Sequence, residues 1–403
     1  MNSNAIAPDL VPLFERSGLA PLMLKGRRLL PVVQGGMGVG VSAQRLAGSV
    51  AALGGVGTLS SVDLRRHHPD LMARTEGQSA GAAAKALIDE VNLIALEREI
   101  AGARERSGGR GLVALNVMRA VSEYAPTIKR ALACGIDAVV VGAGLPLDLP
   151  ELAAEHPDVA LIPILSDARG VQLIVRKWER KQRMPDAIVI EHPRLAGGHL
   201  GAAKVEDLND PRFDFERVIP ECLAYFEKAG LAGKIPLIVA GGVRSFEDIQ
   251  RLQALGAAGV QLGTPFAVTS DCDAHEAFKQ VLAQASDADL VEFTSVAGLP
   301  ARAVNTPWLR NYLRAAPKLQ AVAQVKSRCT KAFDCLAQCG LRDGFKDWGQ
   351  FCIDNQLAAA LRGDVAKGLF FRGAGALPFG AEIRSARDLM MRLLGAPLLP
   401  QQA

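Results

Sequence analysis

Aromatic residues are scarce in this 403-residue chain, at 5%, with three Trp and three Tyr. Charge of one sign is scarce too: 46 Lys and Arg against 42 Asp and Glu leave a net +4 with His neutral. Without a basic stripe or stacking aromatics, nucleic acid is excluded as the expected partner. Long apolar runs are missing. The stretch 136–147 is interrupted by Asp137, Gly142 and Gly144 and falls short of the ~20 residues of a membrane span. The first residues carry Asp9, Glu15 and Arg16 instead of a basic stretch followed by an apolar one, so a cytoplasmic location and no membrane partner are expected. Internal repeats and low-complexity tracts are also absent. In a reducing compartment the seven Cys are not expected to pair as disulfides.

What is present is a large globular core: 49% of residues are hydrophobic and 22% charged. The 40 Gly cluster just after apolar runs, as βα turns require. Eight short β-rich runs, at 29–34, 56–60, 112–117, 138–142, 160–165, 187–191, 236–240 and 259–262, are read as strands. Helical patterns at 43–53, 123–133, 170–183, 213–228 and 246–255 lie between them. Near-continuous apolar strands imply a parallel sheet covered on both faces, and eight βα units imply an α/β chain folded as a (β/α)8 TIM barrel. A doubly wound sheet is the alternative. The barrel is assigned to 1–63 and 111–297. Residues 64–110 read as a helical insertion between strands two and three, with Ile88, Val91, Leu93, Leu96 and Ile100 at helical spacing and a lid as its expected role. Residues 298–403 read as a mainly helical C-terminal extension ending in an amphipathic segment at 386–394.

Three Gly-rich turns follow predicted strands, at the barrel face that carries active sites. Gln34-Gly35-Gly36-Met37-Gly38 follows strand one and would let a flat ring approach the main chain. Ala240-Gly241-Gly242-Val243 after strand seven and Gln261-Leu262-Gly263-Thr264 after strand eight form the recurrent barrel pair for a phosphate. Ser245 is explained as a helix cap without a ligand. Glu191-His192-Pro193-Arg194-Leu195-Ala196-Gly197-Gly198-His199 follows strand six. His199, beyond two glycines, is placed for acid–base work near neutral pH; a solvated surface histidine is the other reading. Strand alternation allows only one of Glu191 and His192 to face the barrel interior.

Taken in order, Gln-Gly-Gly-Met, Leu115-Asn116-Val117 on strand three, Ala-Gly-Gly-His-Leu-Gly, Ala-Gly-Gly-Val and Gln-Leu-Gly-Thr resemble the nitronate monooxygenase family, over about residues 25–305. A weaker echo lies near 363–375. The resemblance implies a barrel holding FMN, with Gly36 and Met37 along the isoalloxazine edge and Asn116 at the flavin. It further implies Gly197 beside the ring, His192 where the family places a Gln near the flavin, and Gly241, Gly242, Gln261, Gly263 and Thr264 at the ribityl and phosphate groups. His199 matches the family's base or anion-stabilising group. The activity implied is oxidation of alkyl nitronates or nitroalkanes by O2 to carbonyl compounds and nitrite. The chain departs from the family pattern at Leu195, where an acidic residue is common, which puts the substrate in question more than the cofactor. FMN-dependent NAD(P)H:quinone or enoyl-thioester reduction is the alternative on the same barrel.

Two further readings stand beside it. A flavin-free isomerase or synthase acting on a phosphorylated metabolite also suits a barrel with a phosphate site, but it calls for paired Lys and acidic residues at strand ends, where only Glu191 stands out. A non-enzymatic flavin-binding protein is the third. Cys329-x5-Cys335-x3-Cys339-x12-Cys352 lacks the C-x2-C pair of a common zinc site. Four thiolates could hold zinc or an iron–sulfur cluster, with Cys335 and Cys339 on one face if 332–338 is helical; buried apolar thiols are the other reading.

Overall fold

The computed structural model describes residues 5–397 except 79, 326, 327, 332 and 333. Eight parallel strands, β1 (Val32–Gln34), β2 (Val56–Ser60), β3 (Leu112–Met118), β4 (Ala138–Gly142), β5 (Ala160–Leu165), β6 (Ile188–Glu191), β7 (Leu237–Ala240) and β8 (Gly259–Leu262), close into a barrel. Each strand pairs with the next in sequence, and β8 returns to β1. The expected TIM barrel is therefore present, and the eight apolar runs are its staves. The first run divides at Pro31, which has no N–H to donate; Leu29 closes a hairpin of Leu22–Leu24 and Arg27–Leu29, and β1 begins at Val32.

Two apolar layers hold the barrel. Inside it, Val33, Val56, Ala114, Ala138, Val140, Ala160, Ile162, Val189 and Ile238 pack together, and Leu22, Leu24 and Leu29 of the hairpin join the same cluster. Outside it, the opposite strand faces meet the helices α1 (Gln44–Leu53), α2 (Ala82–Ser107), α3 (Tyr124–Ala133), α4 (Ala168–Glu179), α5 (Phe215–Lys228) and α6 (Phe246–Ala254). Each large side chain so buried stabilises the fold by roughly 1.5–3 kcal/mol. Helix starts follow local chemistry. Asp167 accepts from the Gly170 amide at 2.8 Å, and Ser245 forms a capping box with Asp248.

The segment between β2 and β3 holds Pro69–Arg74 and the 26-residue α2, which packs along α1 and so covers the barrel flank. After β8 come α7 (Glu276–Gln284) and an antiparallel pair, β9 (Leu290–Thr294) and β10 (Pro300–Val304). They are followed by α8 (Pro307–Ala321), α9 (Ile353–Leu361) and α10 (Ala386–Leu393). Sequence periodicity missed the β9–β10 hairpin, whose strands do not alternate regularly between buried and exposed residues; β10 takes as its second partner the two residues Gly198–His199, a hundred positions away. Residues 334–339 are not helical, and Ala332 and Phe333 lie outside the described residues.

Candidate active site

A cavity of about 420 Å³ opens at the C-terminal ends of the strands. Gly36, Met37, Asn116, Gly197, His199, Gly241, Gly242, Gln261, Gly263 and Thr264 all line it. His192 does not. The expectation of a cofactor contact there is corrected by strand alternation: Glu191 turns into the cavity, while His192 is buried behind the strand, 3.3 Å from Asp214 and edge-on to Phe215.

The barrel's share of the wall is bare backbone at decisive points. A Cβ on Gly36 would lie 2.3 Å from the Asn116 Cβ, and one on Gly197 2.4 Å from the backbone of Arg372 and Gly373. Gly242, at φ 73, holds a left-handed turn that side chains disfavour. The same region carries polar groups without protein partners. The Glu191 carboxyl forms no hydrogen bond or ion pair among the described residues, and burial pushes its pKa up to about 7. Arg244, next to the glycine turn after β7, lines the cavity with no side-chain partner among the described residues. An acceptor without a donor and a cation without an anion fit a ligand that brings hydroxyl groups and a phosphate.

His199 is placed by the extension. Its two-residue strand pairs with β10, Ala301 opposite His199 and Arg302 opposite Gly198. Buried Arg302 fastens the loop before it, bonding to the carbonyls of Pro193 (3.2 Å) and Ala196, and pairs with Glu292. His199 Nε2 meets the hydroxyl of fully buried Ser295 at 2.9 Å, and that hydroxyl also accepts from the Ala297 amide at 3.2 Å. Phe371 packs against the ring, centroids 5.6 Å apart. Burial holds the imidazole pKa down at about 4, so the ring is uncharged at neutral pH. Sequence reasoning reached Glu191 as the strand-end carboxylate. Ser295, Arg302, Phe371 and Arg244 carried no local signal.

The cysteine expectation is corrected. Among the described residues no group of three or more His, Cys, Asp and Glu side chains is arranged to hold a metal ion. Cys329, Cys335, Cys339 and Cys352 are free thiols, and Cys335 and Cys352 join the apolar cluster in which Cys339 is buried. Burial and the neighbouring thiols push Cys335 up to about 12, so without a metal it is protonated. Among the described residues no helix is long and apolar enough to cross a membrane.

Comparison with known proteins agrees with this geometry. Two curated relatives, each described as a probable nitronate monooxygenase, match. One from Bacillus subtilis (strain 168) is 28% identical over 40% of this chain and 43% of its own length. The other, from Staphylococcus haemolyticus (strain JCSC1435), is 29% identical over 30% of this chain and 32% of its own. The matched part thus spans less than half of each relative. Among solved structures, FabK from Thermotoga maritima has a TM-score of 0.61 at 19% identity, covering 96% of this chain and 94% of that one. A nitroalkane oxidase from Streptomyces ansochromogenes has a TM-score of 0.60 at 19% identity, covering 94% and 96%. Both likenesses concern the fold. The nitronate monooxygenase family profile matches residues 24–395, nearly the whole chain, and the protein belongs to that family.

Proposed function

We propose that the protein is an FMN-dependent oxidoreductase that converts alkyl nitronates with O2 into carbonyl compounds and nitrite. The observation that carries this reading is an uncharged, Ser295-bound His199 on the same cavity wall as a glycine-lined surface with unpartnered Glu191 and Arg244. Asn116, with Gly36, Met37 and Gly197, would hold the flat ring system, since an amide can serve mixed donors and acceptors. The Glu191 carboxyl would accept from ribityl hydroxyls. Gly241, Gly242, Gln261, Gly263, Thr264 and Arg244 would face the phosphate. Electron transfer from substrate to dioxygen is the chemistry that FMN supplies when bound.

His199 then has two tasks. Its Nε2 is engaged by Ser295, so Nδ1 is the nitrogen left for substrate. A neutral imidazole can remove the proton from a nitroalkane, and the imidazolium so formed balances the nitronate charge. In the net change each nitronate anion gains one oxygen atom from dioxygen, its carbon–nitrogen bond breaks, and a carbonyl compound and a nitrite anion leave, so that atoms and charge balance.

A second reading, NAD(P)H-dependent reduction of an enoyl thioester or quinone, is favoured by one observation, the Ile88, Leu93, Leu96 and Leu357 side chains on the cavity lining. The flavin-free isomerase loses support: the one Lys among the described lining residues, Lys331, comes from the extension and is paired with Asp354 at 2.9 Å. The experiment is to load the protein with FMN and follow O2 uptake and nitrite release with propyl nitronate, and separately NAD(P)H oxidation with a quinone or an enoyl thioester. Nitrite release is expected. Pyridine-nucleotide oxidation without nitrite from any nitronate would replace the first reading with the second.

A further inference from the structure

The Gly-rich turn after β1 is an arch with fixed feet. At one foot the Gly35 amide donates to the Leu262 carbonyl of β8 at 3.0 Å. At the other, fully buried Ser42 is tied to Met37 twice. The Met37 amide donates to the Ser42 hydroxyl at 2.9 Å, and the Ser42 amide to the Met37 carbonyl at 3.0 Å. Ser60, closing β2, donates to the Ser42 carbonyl through its amide at 2.9 Å and its hydroxyl at 3.2 Å. The Val41 carbonyl accepts from the Asp273 amide and the Cys272 thiol, both at 3.3 Å. The crest is different. Among the described residues Gly38, Val39 and Gly40 share one hydrogen bond, from His67 Nε2 to the Gly40 carbonyl at 2.8 Å.

A carbonyl only accepts, so this contact requires the His67 ring to carry a proton on Nε2. The approach also dictates the residue opposite. A Cβ on Gly40 would lie 2.6 Å from His67 Nε2, and the backbone there is left-handed at φ 64. His67 in turn is held by the insertion. It ends the turn Leu64–His67, whose Leu64 is fully buried and whose Arg65 amide donates to Asn92 Oδ1 of α2 at 3.2 Å. The next residue, His68, meets the carboxylate of fully buried Glu99, also on α2, at 2.9 Å. Glu99 accepts from the Gln44 amide at 2.7 Å as well. One α2 side chain thus binds both the His67 turn and the start of α1, just beyond the arch. The Arg66–Asp354 pair, at 3.3 Å, adds a tie to α9.

The geometry points to His67 as a positioning residue for the cofactor: its bond to the Gly40 carbonyl sets the crest of the arch, and with it Gly36 and Met37, at the height the flavin ring needs. The insertion then serves as a brace for the FMN site and not as a lid. The inference rests on the proposed flavin reading of Gly36 and Met37. Residues 36–39 all line the cavity, and Met37 reaches the turn after β8, where a Cβ on Gly263 would meet its sulfur at 3.8 Å. An arch pinned at its feet alone would sample other crest positions, and a ligand would have to select one of them. The His67 bond removes that ordering cost before the ligand arrives.

The test is a fluorescence titration of the FMN-free protein with FMN, for the wild type, His67→Ala and His67→Gln, the last keeping an N–H donor of similar reach. His67→Ala is expected to weaken FMN binding about tenfold, the worth of one hydrogen bond, and to blur the fine structure of the bound flavin's absorption bands. His67→Gln should regain both. His67→Asn, whose amide is too short to reach, replaces the first variant should that not fold. Wild-type affinity and spectrum in the Ala or Asn variant would overturn the inference. A loss in His67→Gln as large as in His67→Ala would overturn it too, by making His67 a packing residue. Hydrogen exchange of the FMN-free proteins is followed over residues 36–41, with β3 as internal reference. Exchange in the arch is expected to quicken about tenfold in His67→Ala with β3 unchanged, and unaltered exchange contradicts the brace. A wild type that takes up no FMN while its arch loosens in His67→Ala supports the brace and removes the flavin reading instead.

Discussion

The two ends of the cavity are built by different means. The end nearest the barrel axis is made of strand termini and glycine turns, with side chains removed where backbone must be approached and with Glu191 and Arg244 left unpaired. The end lined by α2 and the extension mixes Ile88, Leu93, Leu96 and Leu357 with Asp89, Asn92, Lys331, Asp334 and Asp354, and those carboxylates are drawn into ion pairs. The first end keeps a carboxylate and a guanidinium without side-chain partners among the described residues, whereas the charged groups of the second face one another in ion pairs. His199 stands at the join, on a barrel loop held by the extension.

That division can be broken by substitution, and the largest effect belongs to the join. His199→Asn is expected to retain the flavin absorbance while turnover of a neutral nitroalkane falls by about 10²–10⁴, the usual contribution of a positioned acid–base group. Retained turnover would remove His199 from the chemistry. Since His199 is neutral down to about pH 4, wild-type activity should carry no His199 titration between about pH 5.5 and 8. An acid limb near the ordinary imidazole value would contradict its burial.

Arg302→Met comes next. It frees the Pro193 and Ala196 carbonyls and leaves Glu292 without its cation, so denaturant midpoints should report a loss of about 2–4 kcal/mol. A loss within error would mean that the extension is not what fastens the His199 loop.

Both residues show what was legible from sequence. The barrel could be read because each stave is a short apolar run closed by glycine, a local signal. The cavity's glycine-turn wall could be read for the same reason: its motifs sit within a few residues of strand ends. Gly36, Asn116, Gly242 and Thr264 all line the cavity as their positions imply. His192 was misplaced because a one-residue change of strand phase exchanges it with Glu191. Ser295, Arg302 and Phe371 were invisible because their relation to His199 depends on a strand pairing across a hundred residues. The cysteines misled because proximity of thiols in sequence does not make them converge on one point in space, and among the described residues they do not.

A smaller effect sharpens the join further. Ser295→Ala should lower kcat on a nitroalkane by about tenfold with KM little changed, as expected for a lost hydrogen bond of ~1.4 kcal/mol to the reacting ring. Ser295→Thr, which keeps the hydroxyl, should restore most of it. A fall in KM and kcat together without rescue would make Ser295 a packing residue only.

The smallest effect is a pH dependence at Glu191. The folded-state pKa of Glu191, about 7, lies above its ordinary value of 4.5, so the native state holds the proton more tightly. The associated stability is complete below about pH 4.5 and is lost as pH rises through about 7. Glu191→Gln should flatten this fall of the FMN-free protein's melting temperature between pH 5 and 8, by a few degrees at about 1 °C per kcal/mol for a chain of this length. An identical pH profile would place the carboxylate in contact with water.

The measurement that tests the central claim most directly is an anaerobic absorbance titration of the FMN-loaded protein with the nitronate of nitrohexane, followed by admission of air. The account predicts that the flavin bands bleach with the nitronate and return with O2 as nitrite appears. Bands that stay unchanged with the nitronate but bleach with NADH would contradict it.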